Sequence, residues 1–103
     1  MRKVIIPGVE GEVDFELKMP EIIKVEREVG PLYEMAPAGE TPRLRINEMK
    51  VLRSLAWHGC KSGVKTTDID NLTMSEFVAS FTSPVVAELI GDVAAKPANA
   101  GGK

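Results

Sequence analysis

Residues 46–59 have the sequence INEMKVLRSLAWHG, and this stretch predicts the helix against which the rest of the chain packs. Asn47 is expected to cap the helix, because its side-chain oxygen can accept a hydrogen bond from a backbone N–H of the first turn. Ile46 and Val51 are spaced for a hydrophobic staple across that cap. Gly59 predicts the end of the helix, because glycine enters the left-handed conformation without a Cβ penalty.

Helical spacing divides this stretch into an apolar face and a flank. At about 100° per residue, four apolar side chains share one face, which we expect to be buried. The members of this face are Met49, Leu52, Leu55 and Ala56. Lys50, Arg53 and Trp57 lie together on one flank of it. Trp57, the only tryptophan, is expected to cover the edge of the core.

Length and composition limit the class of protein. A chain of 103 residues is one domain on size alone, with one modest core. The net charge of −2 and a pI near 5.4 argue against general affinity for nucleic acid. The single cysteine, Cys60, excludes an internal disulfide framework and is typical of a reducing compartment. The sequence has no signal-peptide pattern and no apolar run near the roughly 18 residues of a membrane span. We therefore expect a soluble, intracellular protein.

Charge is segregated along the chain. Residues 10–34 hold eight acids and three bases, residues 43–65 hold six bases and one acid, and residues 66–95 hold five acids and no base. Two interpretations follow. The basic middle packs against acidic neighbours of the same fold, or it presents a basic face to an acidic partner.

The N-terminal segment predicts a β-hairpin. Two strands are expected, Lys3–Ile6 and Val13–Lys18, and the glycines and proline between them favour a tight reversal. In the second strand Val13, Phe15 and Leu17 alternate with charged residues, so they share one face. Because an isolated hairpin is marginal in water, that face should pack on helices.

A helix from Pro20 to Val29 is predicted next. Ile22, Val25 and Val29 recur at helical spacing, acids stand in the first turn, and Gly30 supplies the stop.

The segment Leu32–Pro42 is the least regular before the C-terminal tail. We expect an exposed loop at 36–42, with Tyr33 and Met35 packed back on the core.

The C-terminal half predicts short helices. One turn is expected within Thr66–Leu72, and Thr73 with Glu76 matches a capping box that opens the next helix. Ser83 and Pro84 then indicate either a second helix start or a single helix kinked at the proline. The final helix, to about Ala95, is expected to place Val85, Val86, Leu89, Ile90 and Val93 on one face, with Glu88 and Asp92 facing away.

These elements predict an α+β fold, an N-terminal β-hairpin packed on a small bundle of three to four helices. Residues 1–95 would form the single domain, and residues 96–103 a flexible tail.

A search for reactive chemistry predicts no catalytic, metal or cofactor site. His58 and Cys60 are the only residues of their kinds, whereas zinc usually takes three or four ligands. The pair is interpreted as a helix-terminal histidine followed by a loop cysteine, and a Cys–His nucleophile is the less favoured alternative. The glycines form neither of the phosphate-binding patterns. Asp68, Asp70 and Asn71 are interpreted as turn and capping residues, since the glycine and distal glutamate of a calcium loop are missing.

A helix-turn-helix regulator is a further alternative, because Lys50, Arg53, Lys61 and Lys65 surround a helix–loop–helix. Against it, the second helix carries no base, and the loop is longer than that motif allows.

The order of elements carries a family resemblance. A hairpin ends in Phe-x-Leu-x-Met at residues 15–19, a helix ends in Val-Glu-Arg-Glu-Val-Gly at Val25–Gly30, and Leu32-Tyr33 follows. The helix Ile46–Gly59 with its His-Gly end and a terminal helix pair complete the order. Over residues 10–95 this resembles the small tail-assembly chaperones of tailed bacteriophages, especially the group shared with gene transfer agents.

The resemblance implies a non-enzymatic function in the host cytoplasm. Such chaperones coat the tape-measure protein and help to recruit tail-tube subunits, and a homo-oligomer is compatible with that role. Some members have a longer product made by ribosomal frameshifting, which Gly101-Gly102-Lys103 would permit if its codons form a slippery run. Apolar grooves for amphipathic helices would carry the binding. The candidate partner-binding residues are Val86, Leu89, Ile90 and Val93 on the last helix, and Lys50, Arg53 and Trp57 on the central helix. An alternative is a small structural tail or head–tail connector protein of the virion.

Overall fold

A computed structural model describes residues 2–34, 38–39, 43–61 and 63–91. An antiparallel hairpin opens the chain, with β1 at Arg2–Ile5 and β2 at Glu12–Phe15. Val4 lies opposite Val13 in the register, and both are buried. Phe15, the last residue of β2, is also buried, and so is Leu17, two residues beyond the strand, which ends before the predicted Lys18. The predicted hairpin and its inner face are confirmed.

Helix α1 spans Met19–Val29 and has Pro20 in its first turn. Its start is satisfied by Glu21, whose carboxylate accepts a hydrogen bond from the Lys18 backbone N–H at 2.7 Å. Gly30 ends the helix at a φ of 85°, a backbone conformation that side-chain-bearing residues rarely adopt. Val25 is fully buried, as its position in the predicted apolar stripe requires.

A two-stranded ribbon was missed in the irregular segment. β3 (Tyr33–Glu34) pairs antiparallel with β4 (Arg43–Leu44). The prediction that Tyr33 packs on the core is wrong, because the residue is 56% exposed, whereas Leu32 beside it is buried. Met35 and most of the expected loop at 36–42 lie outside the described residues.

Helix α2 spans Met49–Gly59, so the predicted central helix exists but its cap was misassigned. Asn47 lies in a turn and Glu48 is the residue before the helix, because the Glu48 carbonyl accepts hydrogen bonds from the N–H groups of Val51 and Leu52, at 3.1 and 3.0 Å. The Glu48 carboxylate accepts two hydrogen bonds from Arg45, at 2.8 and 3.1 Å. With Glu48 as the cap, Ile46 and Val51 no longer have the spacing of a hydrophobic staple, although Val51 is buried and Ile46 packs at the edge of the core. The buried face is confirmed at three positions, Leu52, Leu55 and Ala56, but wrong at Met49, which is 40% exposed.

The structure gives position 59 a different need for glycine from the predicted left-handed stop of α2. It is the last helical residue and its φ is not positive. A Cβ built there would lie 2.2 Å from Cε1 of Phe15. The Gly59 carbonyl also accepts a hydrogen bond from the Glu16 N–H at 2.9 Å. The glycine therefore lets the hairpin approach the end of α2 closely.

The C-terminal half begins with α3 at Thr66–Asp70 and α4 at Met74–Phe77. The predicted capping box is confirmed: Thr73 Oγ1 accepts from the Glu76 N–H at 3.1 Å, and Glu76 accepts from the Thr73 N–H at 2.8 Å.

A π-helical turn at Val78–Thr82 leads without interruption into α5, Ser83–Ile90. The predicted serine cap is therefore wrong. The alternative of a single helix is correct, but its distortion is the π turn at Val78–Thr82 and not a kink at Pro84. Pro84 has no N–H and its ring crowds the carbonyl four residues earlier, and a π turn relieves both.

The core lies where the hairpin, α1, α2 and the C-terminal helix meet. Phe15 and Phe81 are both fully buried with ring centroids 6.0 Å apart, and Phe77 extends the cluster to 5.3 Å from Phe81. Trp57 is half-buried against this core, as predicted. The fold is α+β, an N-terminal two-stranded hairpin followed by a small helical bundle.

Glu88 departs from its predicted outward position. Its carboxylate accepts hydrogen bonds from Arg2 Nε at 2.7 Å and from the Leu17 N–H at 2.8 Å, and its side chain is 14% exposed. It ties α5 to the open end of the hairpin, at the start of β1 and just past the end of β2. Asp92 and Val93, the end of the expected last helix and the expected tail lie outside the described residues. Among the helices of the described part, none has the length and apolar character that crossing a membrane requires.

Candidate functional site

The first candidate site is a groove of about 330 Å³ between α2 and the α3–α4 segment. Buried Ile69 and Phe77 belong to its lining, together with half-buried Leu72. Met49 and Met74 also line it and are 40% and 63% exposed. Methionine side chains are flexible and polarisable, so they can adapt to apolar partners of differing shape. We call this the methionine groove; its lining is Met49, Lys50, Arg53, Ile69, Asp70, Leu72, Thr73, Met74 and Phe77.

Three charged side chains line the methionine groove, Lys50 and Arg53 from α2 and Asp70 from α3. Arg53 donates two hydrogen bonds to Asp70, at 2.6 and 2.9 Å, and this ion pair joins α2 to α3. The hydrogen bond raises the pKa of Arg53 and lowers that of Asp70. Lys50 lines the same groove, and no ion-pair partner for it occurs among the described residues. Beside its apolar lining the groove therefore carries the Lys50 ammonium, whose charge also helps to lower the pKa of Glu48.

The predicted flank is divided by the structure. Lys50 and Arg53 line the methionine groove, whereas Trp57 packs on the core edge and does not line it. The signal that was missed is the methionine pair: Met49 was assigned to the core and Met74 was not singled out. Met74 follows directly on the predicted cap at Thr73, where a first-turn side chain has few neighbours of its own helix.

The predicted face of the last helix is graded in exposure. Val85 is fully buried, Val86 and Leu89 are half-buried, and Ile90 is 48% exposed. Val93 lies outside the described residues. Leu89 also lines a second groove, between the start of α1, the β3–β4 ribbon and the end of α5.

A serine, a glutamate and a histidine meet between α1 and α2. Ser54 Oγ donates to Glu28 at 2.7 Å, and His58 Nε2 lies 2.7 Å from the other oxygen of Glu28. In a hydrolytic triad the histidine must contact the hydroxyl that it deprotonates. Here the carboxylate stands between the two, and Ser54 is only 2% exposed. The cluster fastens one helix to the other, and the Ser54 hydrogen bond is the largest cause of the lowered pKa of Glu28.

Cys60 follows α2, and its backbone forms an isolated antiparallel β-bridge with Phe15 of β2. Burial raises the pKa of its thiol to about 11, so the nucleophilic thiolate is scarce at neutral pH. Within the described ranges, no group of three or more His, Cys, Asp or Glu is placed to hold a metal ion.

The basic segment pairs with acidic neighbours of the same chain. Arg53 binds Asp70, and Lys61 Nζ lies 3.0 Å from Glu21 of α1. Two of the four bases that suggested a DNA-binding surface are thereby neutralised. These contacts favour the first interpretation of the charge segregation.

Comparisons of the chain with protein-family models, with curated proteins and with solved structures find no match to any of them.

Proposed function

We propose that this chain is a non-catalytic tail-assembly chaperone of a tailed bacteriophage or gene transfer agent, acting in the host cytoplasm. Its partner would be the tape-measure protein, whose amphipathic helical segments would occupy the methionine groove. Tail-tube subunits would be recruited to that complex. The proposal rests on the resemblance in element order and on one structural observation, the exposure of Met49 and Met74 beside an apolar lining.

The groove suits a partner that must be bound and later released. An amphipathic helix binds by placing apolar residues of one face into such a groove. The groove is short and has flexible methionines, so it can accept successive helical segments that differ in sequence. Lys50 adds a preference for helices that carry an acid next to the apolar stripe.

Co-expression with the tape-measure protein of the same genome tests this function. Wild-type chain should raise the soluble fraction of the tape-measure protein and co-purify with it. Met74→Asp should weaken the complex roughly 10- to 100-fold, since a buried methionine contributes about 1.5–3 kcal/mol. Ile5→Asp is the matched control, because Ile5 is equally exposed, at 68% against 63%, but lies on the hairpin.

Two results would refute the proposal. One is a tape-measure protein that stays insoluble with wild-type chain, and the other is equal binding by Met74→Asp and wild type. The presence of the chain in purified particles would favour the virion-component alternative over the chaperone, since a chaperone leaves the assembled tail and a structural protein is retained.

A further inference from the structure

A second groove, of about 510 Å³, shares no residue with the methionine groove. It runs between α1 as far as Glu26, the β3–β4 ribbon and the end of α5. We call it the α1 groove; its lining is Leu17, Lys18, Met19, Ile22, Glu26, Leu32, Tyr33, Leu44, Glu88 and Leu89.

Apolar side chains are left uncovered at this groove. Met19 and Tyr33 line it and are 67% and 56% exposed. Ile23 lies one helical turn after Met19 and is 44% exposed, and Ile90 follows Leu89 and is 48% exposed. These four are half of the eight large apolar residues that are exposed in the described part of the chain. Such a concentration marks an interaction surface.

The charges on α1 identify what covers it. Lys18 and Glu26 line the same groove and lie eight residues apart, about 12 Å along a helix, with Ile22 midway between them. Glu26 has no ion-pair partner in the described ranges, and Lys18 has only a 3.8 Å contact with Glu16. Opposite charges placed equally far from one residue are complementary to their own copy turned through 180°.

We propose that a second copy of this chain occupies the α1 groove, with the two α1 helices antiparallel about a two-fold axis at Ile22. Lys18 of each copy then lies opposite Glu26 of the other, so the dimer forms two equivalent ion pairs. Met19 and Ile23 of each copy enter the groove of the other, and Tyr33 covers its edge. One oxygen of Glu26 accepts from the Leu32 N–H at 3.0 Å, and the other is available to the partner lysine.

Sedimentation equilibrium of the full chain, without any added protein, tests the dimer. Wild type should have twice the 11.2 kDa mass of one chain. Met19→Asp should weaken the dimer by about 100-fold or more, because each of two copies loses one buried methionine contact. A wild-type chain that remains monomeric up to millimolar concentration would overturn the proposal.

Charge exchange tests the register. Lys18→Glu should weaken self-association about tenfold, since two exposed ion pairs become two repulsive contacts. The matched control is Lys24→Glu, the same change at an exposed position of α1 that does not line the groove. Adding Glu26→Gln, which keeps an acceptor for the Leu32 N–H, should recover part of the loss. Equal effects of Lys18→Glu and Lys24→Glu, or no recovery, would refute the two-fold arrangement. Failure of tape-measure binding would leave these results unchanged.

Discussion

Replacing Gly59 by alanine puts the close contact between α2 and the hairpin to a direct test. Helix propensity alone favours the substitution, because alanine in a helix is more stable than glycine by about 1 kcal/mol. Packing opposes it. The new Cβ would lie 2.2, 2.5 and 2.8 Å from three ring atoms of Phe15, well inside van der Waals contact.

The magnitude follows from how little Phe15 can move. Its ring is fully buried and lies 6.0 Å from that of Phe81, so a shift away from Gly59 presses on the core. Overpacking a core by one methyl group costs about 1–3 kcal/mol, and three short contacts place this site near the upper end. After the gain in propensity, we expect a net loss of about 2 kcal/mol.

Thermal and urea unfolding followed by circular dichroism measure this loss. For a domain of this size, 2 kcal/mol corresponds to a fall in Tm of about 8–16 °C. Phe15→Leu removes most of the ring, so the double variant with Gly59→Ala should be more stable than the sum of the two losses predicts. A Tm for Gly59→Ala equal to or above that of wild type would refute the reasoning.

Three further predictions concern polar contacts. Glu88→Ala should cost about 1–3 kcal/mol in urea unfolding, because it leaves the partly buried Leu17 N–H without its acceptor. Glu28 has a lowered pKa, mainly because Ser54 donates to it, so its contribution to stability is complete above the ordinary value of 4.5 and is lost as pH falls through the lower folded value. Glu28→Gln should therefore flatten the decline of Tm below pH 4.5. Cys60 should react with a thiol reagent at pH 8 about 100-fold more slowly in the native protein than after denaturation, because burial raises its pKa to about 11.

Each of these predictions has an internal comparison. Glu10→Ala removes an exposed carboxylate and should leave the urea midpoint unchanged. If Glu10→Ala lowered the midpoint as much as Glu88→Ala does, the loss would come from the change of net charge, and the role assigned to the Glu88 hydrogen bond would be contradicted. An unaltered acid slope in Glu28→Gln would contradict the role assigned to that carboxylate. Labelling of native Cys60 at the rate of a free thiol would contradict its burial.

The elements that were predicted correctly are those that depend on a pattern within a few residues of sequence. The alternation at Val13, Phe15 and Leu17 and the capping box at Thr73 each hold within a few residues, and both are confirmed. The predicted cap of α2 was wrong. The carbonyl of Glu48, and not that of Asn47, accepts the first hydrogen bonds of α2, from the N–H groups of Val51 and Leu52. The capping preference of asparagine does not reveal that shift of one residue.

The candidate sites were less predictable, since exposure depends on which neighbour covers a face. Helical spacing grouped Met49 with Leu52 and Leu55, yet only the leucines are buried. Glu88 lies on the polar side of its helix by spacing, but the hairpin supplies it with two donors from residues that are far away in sequence. Arg53 was assigned to a partner surface and is instead bound by Asp70.

Both grooves arise because a short helix has more apolar surface than the neighbouring elements bury. Helix α1 packs against α2 with Val25 inward and leaves Met19 and Ile23 uncovered. Helix α2 is buried along most of its length and leaves Met49, in its first turn, partly uncovered. The two grooves differ in charge. At one groove Lys50 is the lining charge outside the Arg53–Asp70 ion pair, and it complements an acid-bearing helix from outside the chain. Lys18 and Glu26 at the other are complementary to each other, so that groove is matched by its own copy, and a dimer formed there leaves the methionine groove free for a different partner.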